Sequence, residues 1–193
     1  MENEKRERSI LRRITGEVFE WMESVVFALV IVVLIFTFMF RIVRVDGSSM
    51  YPTLQNNDKV IVSNVLYKPR QGDIIVTTQE NMFGEPLIKR IIATEGQQID
   101  IQKGSDDSTG LVYVEGQLCA EAYAYYDTTR SFYTGDAYEY PITVPKGKAF
   151  CMGDNRNNSS DSRSSYVKMI DVDSILGKAQ IRIFPLGSFG GIY

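Results

Sequence analysis

Two serines stand side by side in the stretch VDGSSMYPTL, Val45 to Leu54, between a glycine and a proline. Gly47 permits a positive-φ or closely approached backbone, while Pro52 fixes its own φ and keeps Tyr51 out of the helical region. A serine in such a stiff turn can present its Oγ and its own backbone N–H to one ligand atom. A nucleophilic serine needs a base, and the chain has no histidine, so a Ser-His-Asp arrangement cannot be built. Asp, Glu or a lysine of depressed pKa remain. The stretch PLIKRIIAT, Pro86 to Thr94, supplies a lysine. Strand alternation puts Leu87, Lys89 and Ile91 on one face and Ile88, Arg90 and Ile92 on the other. Burial among those aliphatics would disfavour the ammonium form. Free lysine titrates near ~10.4, so a base that is neutral near pH 7 to 8 needs about 3 to 4 kcal/mol of differential destabilisation, within reach of a buried lysine. From these residues alone either Ser48 or Ser49 could attack, and Lys89 reads first as an edge lysine laying its stem over the core.

A third stretch, GDNRNNSSDSR from Gly153 to Arg163, carries only polar side chains and one glycine. It cannot bury an apolar face and reads as a loop that bonds to backbone and to itself, either solvated or acting as a polar brace beside a site. A calcium loop starting at Asp154 fails. It would put Arg156 at the third ligand position, Ser159 where the turn glycine belongs and Ser165 where the bidentate glutamate belongs. Without histidine, the two cysteines, Cys119 and Cys151, do not suggest a zinc site. No metal or cofactor is expected. The formal net charge of -3 argues against a nucleic-acid binder.

These residues need elements to hold them. The run SVVFALVIVVLIFTFMF, Ser24 to Phe40, is uncharged and rich in Val, Ile, Leu and Phe, just long enough for a bilayer core of roughly 17 to 25 residues. Trp21 lies where an interfacial aromatic belongs. Lys5, Arg6, Arg8, Arg12 and Arg13 precede the run, against Arg41, Arg44 and Lys59 after it, which favours a cytoplasmic N-terminus. The exit FMFRIVRVDG lacks the small residues of a signal-peptide cleavage site. A transmembrane anchor over 21–40 is therefore expected, ahead of a cleaved signal or a core helix. Residues 1–20 would form a cytoplasmic segment and 41–193 an extracytoplasmic domain.

Beyond Arg41, DKVIVSNVLY, GDIIVTT, LIKRIIAT, QQIDIQ, GLVYVEGQL, KAFCMGD and GKAQIRIFPL read as strands bounded by turn residues. The fold expected is mainly β, an antiparallel sheet domain rather than βαβ units. About 100–141 is more polar and tyrosine-rich, and is expected to form a smaller inserted β lobe, its tyrosines packing on strands rather than meeting a membrane.

Taken in order behind an anchor, these motifs resemble bacterial type I signal peptidases, the membrane-bound Ser-Lys endopeptidases that remove signal peptides. GSSMYPTL is similar to the nucleophile motif, GDIIV to the next strand motif, IKRIIA to the lysine motif and GDNRNNSSDSR to the most specific signature. VYVEGQLCAEAY and VPKGKAFCMGDNR follow the pattern between them. The resemblance implies Ser49, not Ser48, as nucleophile, Lys89 as general base and Arg90 as its usual neighbour. It implies Ser159 as the hydroxyl orienting the amine, Asp161 and Arg163 as a structural ion pair, and Asp154, Asn155 and Arg156 as the loop's opening scaffold. Gly47 replaces a serine oxyanion donor of many Gram-negative members, as in Gram-positive ones, so the oxyanion would rest on backbone N–H groups starting with that of Ser49. ATEGQQ departs from the family's Gly-Leu-Pro-Gly-Asp turn, leaving that turn's shape open.

The activity that the resemblance implies is cleavage of secretory preproteins at a lipid bilayer, near the export translocon. Extended substrate would pair with strand edges at Val45, Asp46, Gly47 and Ser48 on one side and Leu87 and Ile88 on the other. Met50, Leu54 and Ile88 would line shallow pockets for small residues. Two rival readings are a specialised peptidase for dedicated precursors such as pilin-like proteins, and an inactive membrane-anchored binding module. A self-cleaving repressor-type Ser-Lys peptidase would need neither the anchor nor the polar loop.

Overall fold

The computed structural model describes residues 2–79 and 84–192, and its contacts divide the chain into two units, Met1–Phe40 and Arg41–Tyr193. The side chains of residues 1–16, and so the basic arm read from the sequence, lie outside the described residues. The first unit is one helix, α1 (Glu2–Met39). Within it Glu17–Thr37 is a 21-residue span of mean hydropathy 2.4 with no buried part. At about 1.5 Å per residue such a span matches a hydrocarbon core of about 30 Å. The consecutive residues Leu29, Val30, Ile31, Val32, Val33, Leu34, Ile35 and Phe36 are all exposed, so the helix is apolar around its circumference and not along one stripe. The helix ends one residue earlier than the expected anchor: Phe40 already belongs to the first strand.

The second unit holds twelve strands: β1 (Phe40–Arg44, its first residue from the other unit), β2 (Lys59–Ser63), β3 (Ile74–Thr77), β4 (Leu87–Thr94), β5 (Gln98–Lys103), β6 (Gly110–Val114), β7 (Gln117–Leu118), β8 (Ile142–Thr143), β9 (Lys148–Met152), β10 (Ile170–Asp171), β11 (Ile175–Phe184) and β12 (Gly190–Gly191). An eight-stranded sheet runs β1-β2-β11-β3-β4-β9-β10 with β12 beside β11, and a four-stranded sheet runs β7-β6-β5-β8. Strand pairings from β2 onward are antiparallel. The chain is mainly β, as the strand spacing implies. The small sheet lies in sequence between β4 and β9, from Gln98 to Thr143, against the expected 100–141.

Three apolar clusters make the core. One joins the two sheets, with Ile92, Phe150 and Met152 of the large sheet against Ile99, Val112 and Phe132; Tyr126, Tyr138 and Tyr140 pack onto it. These three tyrosines thus serve packing, while Tyr125 and Tyr133 are exposed. The other two clusters lie on opposite faces of β3: Ile74 and Val76 join Met50, Leu54 and Val60, while Ile75 joins Ile91, Cys151 and Ile170. Burial on both faces is why IIV in β3 and IIA in β4 read as continuous apolar runs, not alternation. A polar side chain that starts from the middle of β4 begins its path inside the core.

Gly110 opens β6 directly over the Phe132 ring, where an added Cβ would lie 2.2 Å from Cζ. Gly110→Ala is expected to lower stability by about 1–3 kcal/mol through overpacking. Urea unfolding in detergent would read this as a lower midpoint with an unchanged denaturant slope.

Candidate active site

The Ser49 turn is pinned from several sides. Gly47 has φ +85° and donates its N–H to Asn56 Oδ1 at 3.0 Å. A Cβ there would meet nothing within 4 Å, so the backbone conformation and not crowding selects glycine. Tyr51 N–H donates to Ser48 O at 3.1 Å and Leu54 N–H to Met50 O at 2.8 Å. Thr53 Oγ1 donates to Asp154 Oδ2 at 2.5 Å, tying the turn to the polar loop.

Lys89 reaches the same place from β4. It pairs in register with Ile75, and its face-mates Leu87 and Ile91 pack with Ile75 and Cys151. The side chain is only 3% exposed. Its Nζ lies 2.9 Å from Ser49 Oγ and donates to Ile88 O at 3.0 Å. Burial lowers the amine from 10.5 to about 8, partly opposed by the negative charge of Asp161. A serine hydroxyl and an amine that loses its proton readily therefore stand at hydrogen-bond distance, the arrangement proton transfer requires.

The polar loop from Gly153 to Ser164 is not a solvated face. Asp154, Asn155, Arg156, Asp161, Ser162 and Arg163 are all buried. Arg90 grips Asp154 with Nε on Oδ1 and Nη2 on Oδ2, both at 2.8 Å, and lies under the Tyr123 ring at 3.9 Å. Arg163 grips Asp161 the same way, also at 2.8 Å in both bonds. Arg156 Nη2 donates to Glu121 Oε1, in the segment after β7, at 2.6 Å. Burial works against the Asp161 carboxylate, but Arg163 and the N–H of Gly153 hold it below its ordinary range. Buried pairs of this kind add little net stability, yet losing one partner costs about 3–5 kcal/mol. They fix geometry.

An open groove of about 460 Å³ reaches Ser49 and Lys89, lined by Val43 to Met50 and Glu85 to Lys89, with Val76, Asn158 and Ser160. The β9 register begins at Arg90, so Leu87 and Ile88 keep a strand edge open on that side. Across the groove Val45 uses both main-chain groups internally, donating to Asp58 O at 2.8 Å and accepting from Asn57 N at 2.9 Å.

Residues 18–184 match the family model described as signal peptidase, peptidase S26. Signal peptidase I T of Bacillus subtilis (strain 168) is 34% identical over 179 residues, 89% of this chain and 88% of its own. Signal peptidase I of Bacillus amyloliquefaciens is 31% identical over 187 residues, 93% of this chain and 91% of its own. Probable signal peptidase I-2 of Synechocystis sp. (strain ATCC 27184 / PCC 6803 / Kazusa) is 32% identical over 182 residues, 88% of this chain and 76% of its own. The chain belongs to the signal peptidase family.

In this chain the sequence-named residues do not all meet. Ser49, Lys89, Gly47, Ser48, Val45, Asp46, Met50, Leu87 and Ile88 line the groove. Leu54, expected in a substrate pocket, is fully buried: its N–H closes the turn onto Met50 O and its side chain joins the core. Ser159, expected to orient the amine, makes no hydrogen bond to it. Its Oγ is buried without a well-formed hydrogen bond, on the side of the Asp161 carboxylate that it helps to hold ionised, and rests 2.3 Å from where a Cβ on Gly153 would stand. Arg90 faces away from the dyad, toward Asp154. Val43, Val76, Asn158 and Ser160 line the groove unforeseen; Val76 gets there by pairing with Ile88, a register that no local pattern reveals. Both cysteines are free, Cys119 half-buried and Cys151 buried, and burial pushes the Cys151 thiol up. Among the described residues no group of three or more His, Cys, Asp or Glu could hold a metal.

With the folded pKa of Lys89 at about 8 against 10.5, folding penalises the ammonium by about 3 kcal/mol. The penalty is full below pH 8, falls as pH rises from 8 to 10.5, and is gone above. Lys89→Met is therefore expected to raise Tm at pH 7 while abolishing cleavage, with the gain shrinking by pH 10. Thermal unfolding of both forms across that range checks the sign.

Proposed function

We propose that this chain is a membrane-anchored endopeptidase that removes signal peptides from exported preproteins, with Ser49 as nucleophile and Lys89 as general base. The observation carrying this reading is the buried Lys89 amine, 2.9 Å from Ser49 Oγ at the end of an open groove. Neutral Lys89 takes the proton from Ser49 Oγ as it attacks the scissile carbonyl, and backbone N–H groups hold the oxyanion. The ammonium then gives its proton to the leaving amine, and the regenerated amine activates the water that hydrolyses the acyl-enzyme. The Asp161–Arg163 and Arg90–Asp154 pairs support the dyad without touching substrate.

The segment before the cut lies extended between the Asp46 to Ser48 edge and the open edge of Leu87 and Ile88, adding a strand to each. Short walls at Val43, Val45, Met50 and Ile88 suit small side chains. Glu17–Thr37 spans the bilayer with the N-terminus inside and the sheet domain outside, close to the translocon from which preproteins emerge. That domain begins near Arg41, with 98–143 as its inserted lobe.

The test is cleavage of a secretory preprotein with an Ala-x-Ala site in lipid or detergent. Wild type is expected to cut at that site, Ser49→Ala and Lys89→Ala to be inactive, and Ser48→Ala to cut. Because the base form is neutral, kcat/KM should rise with pH up to about 8 and then level. Retained cleavage by Lys89→Ala, or no cleavage by wild type, would defeat the proposal.

A further inference from the structure

Asn155 is buried, and both hydrogen bonds it donates go to carbonyls of the nucleophile turn. Its backbone N–H donates to Ser49 O at 3.0 Å, and Nδ2 donates to Ser48 O at 3.1 Å. The remaining amide atom, Oδ1, is buried with no hydrogen-bond partner among the described residues. Reversing the amide would set Oδ1 against the Ser48 carbonyl oxygen, so the orientation is fixed by the acceptor it meets. A buried acceptor left unused is unfavourable, so this side chain is poorly explained as a stabiliser of the loop.

Its effect on the neighbouring peptide explains it better. In a trans peptide the C=O of one residue and the N–H of the next point in opposite directions, and the Ser48–Ser49 bond is trans. With the Ser48 carbonyl held by Asn155 Nδ2 and by Tyr51 N–H, the Ser49 N–H must turn away from Asn155. Ser49 lines the groove, and its N–H meets no acceptor among the described residues. The geometry points to Asn155 as a positioning residue that preforms the oxyanion hole: by anchoring one carbonyl, it presents the Ser49 N–H to the oxygen of the attacked carbonyl. Gly47 has no side chain to donate, so more of the oxyanion's stabilisation falls on this N–H. The inference rests on Ser49 being the nucleophile, as proposed above.

The test separates transition-state binding from ground-state binding in the full chain. A peptide aldehyde ending in Ala-x-Ala adds Ser49 Oγ to its carbonyl carbon. The C=O π pair moves to oxygen, and the serine proton passes through Lys89, so the adduct puts an oxyanion or hydroxyl in the hole. A peptide with a reduced, non-cleavable bond at the same place reports ground-state binding. For Asn155→Ala and Asn155→Asp, kcat is expected to fall tenfold to a hundredfold, with KM within about threefold. Aldehyde affinity should fall in the same proportion while the reduced peptide binds as it does to wild type. Unchanged kcat, equal loss of both ligands, or failure of both variants to fold would overturn the proposal. If instead wild type neither cuts preprotein nor binds the aldehyde, the Ser49 assignment itself has failed.

Discussion

A lysine amine taken out of water beside a serine is the constraint around which the rest of this chain is arranged. Side-chain burial is what brings Lys89 into the range of a neutral base, and it does so at the expense of stability. Everything near the amine is consistent with that purpose. β4 is covered on both faces, its lysine enters between apolar neighbours, and among the described residues Nζ bonds one carbonyl and the Ser49 hydroxyl. A fully solvated lysine at the same distance would remain charged at neutral pH and could not act as the base.

Holding two groups from distant parts of the chain at 2.9 Å needs rigid supports on both. The polar loop provides them. Asp154 joins Arg90, the residue after the lysine, to Thr53 of the Ser49 turn, and Asn155 holds the carbonyls of Ser48 and Ser49. Asp161 and Arg163 keep the loop itself closed, and the inserted lobe adds Glu121 and Tyr123 from outside. The loop has no hydrophobic core of its own; bidentate arginine–carboxylate pairs take that place. Such pairs give geometry more than stability, which suits a site where small displacements weaken catalysis.

Much of this was legible in the sequence. The continuous apolar run gave the helix, turn-bounded β stretches gave the strand set, and alternation in LIKRIIAT correctly placed Lys89 opposite Arg90. What was not legible depended on tertiary pairing. The loop's polarity reads as either solvation or a brace, because no local pattern says that Arg90 and Glu121 come from elsewhere to neutralise it. Leu54 is expected with Met50 and Ile88 to line shallow apolar pockets, but the turn closing on Met50 carries it into the core. The Ser159 position could be matched by resemblance, while the place of its hydroxyl, in the space that a Cβ on Gly153 would take, is a tertiary feature.

The most direct measurement is the titration of the Lys89 side chain itself, followed by NMR of the lysine ε-carbon in enzyme labelled at lysine, with Lys89→Met used to assign the signal. One lysine is expected to titrate near 8, well apart from the others near ~10.4. A Lys89 signal that titrates with the surface lysines would contradict the buried-base mechanism, since the amine would then be charged wherever the enzyme works.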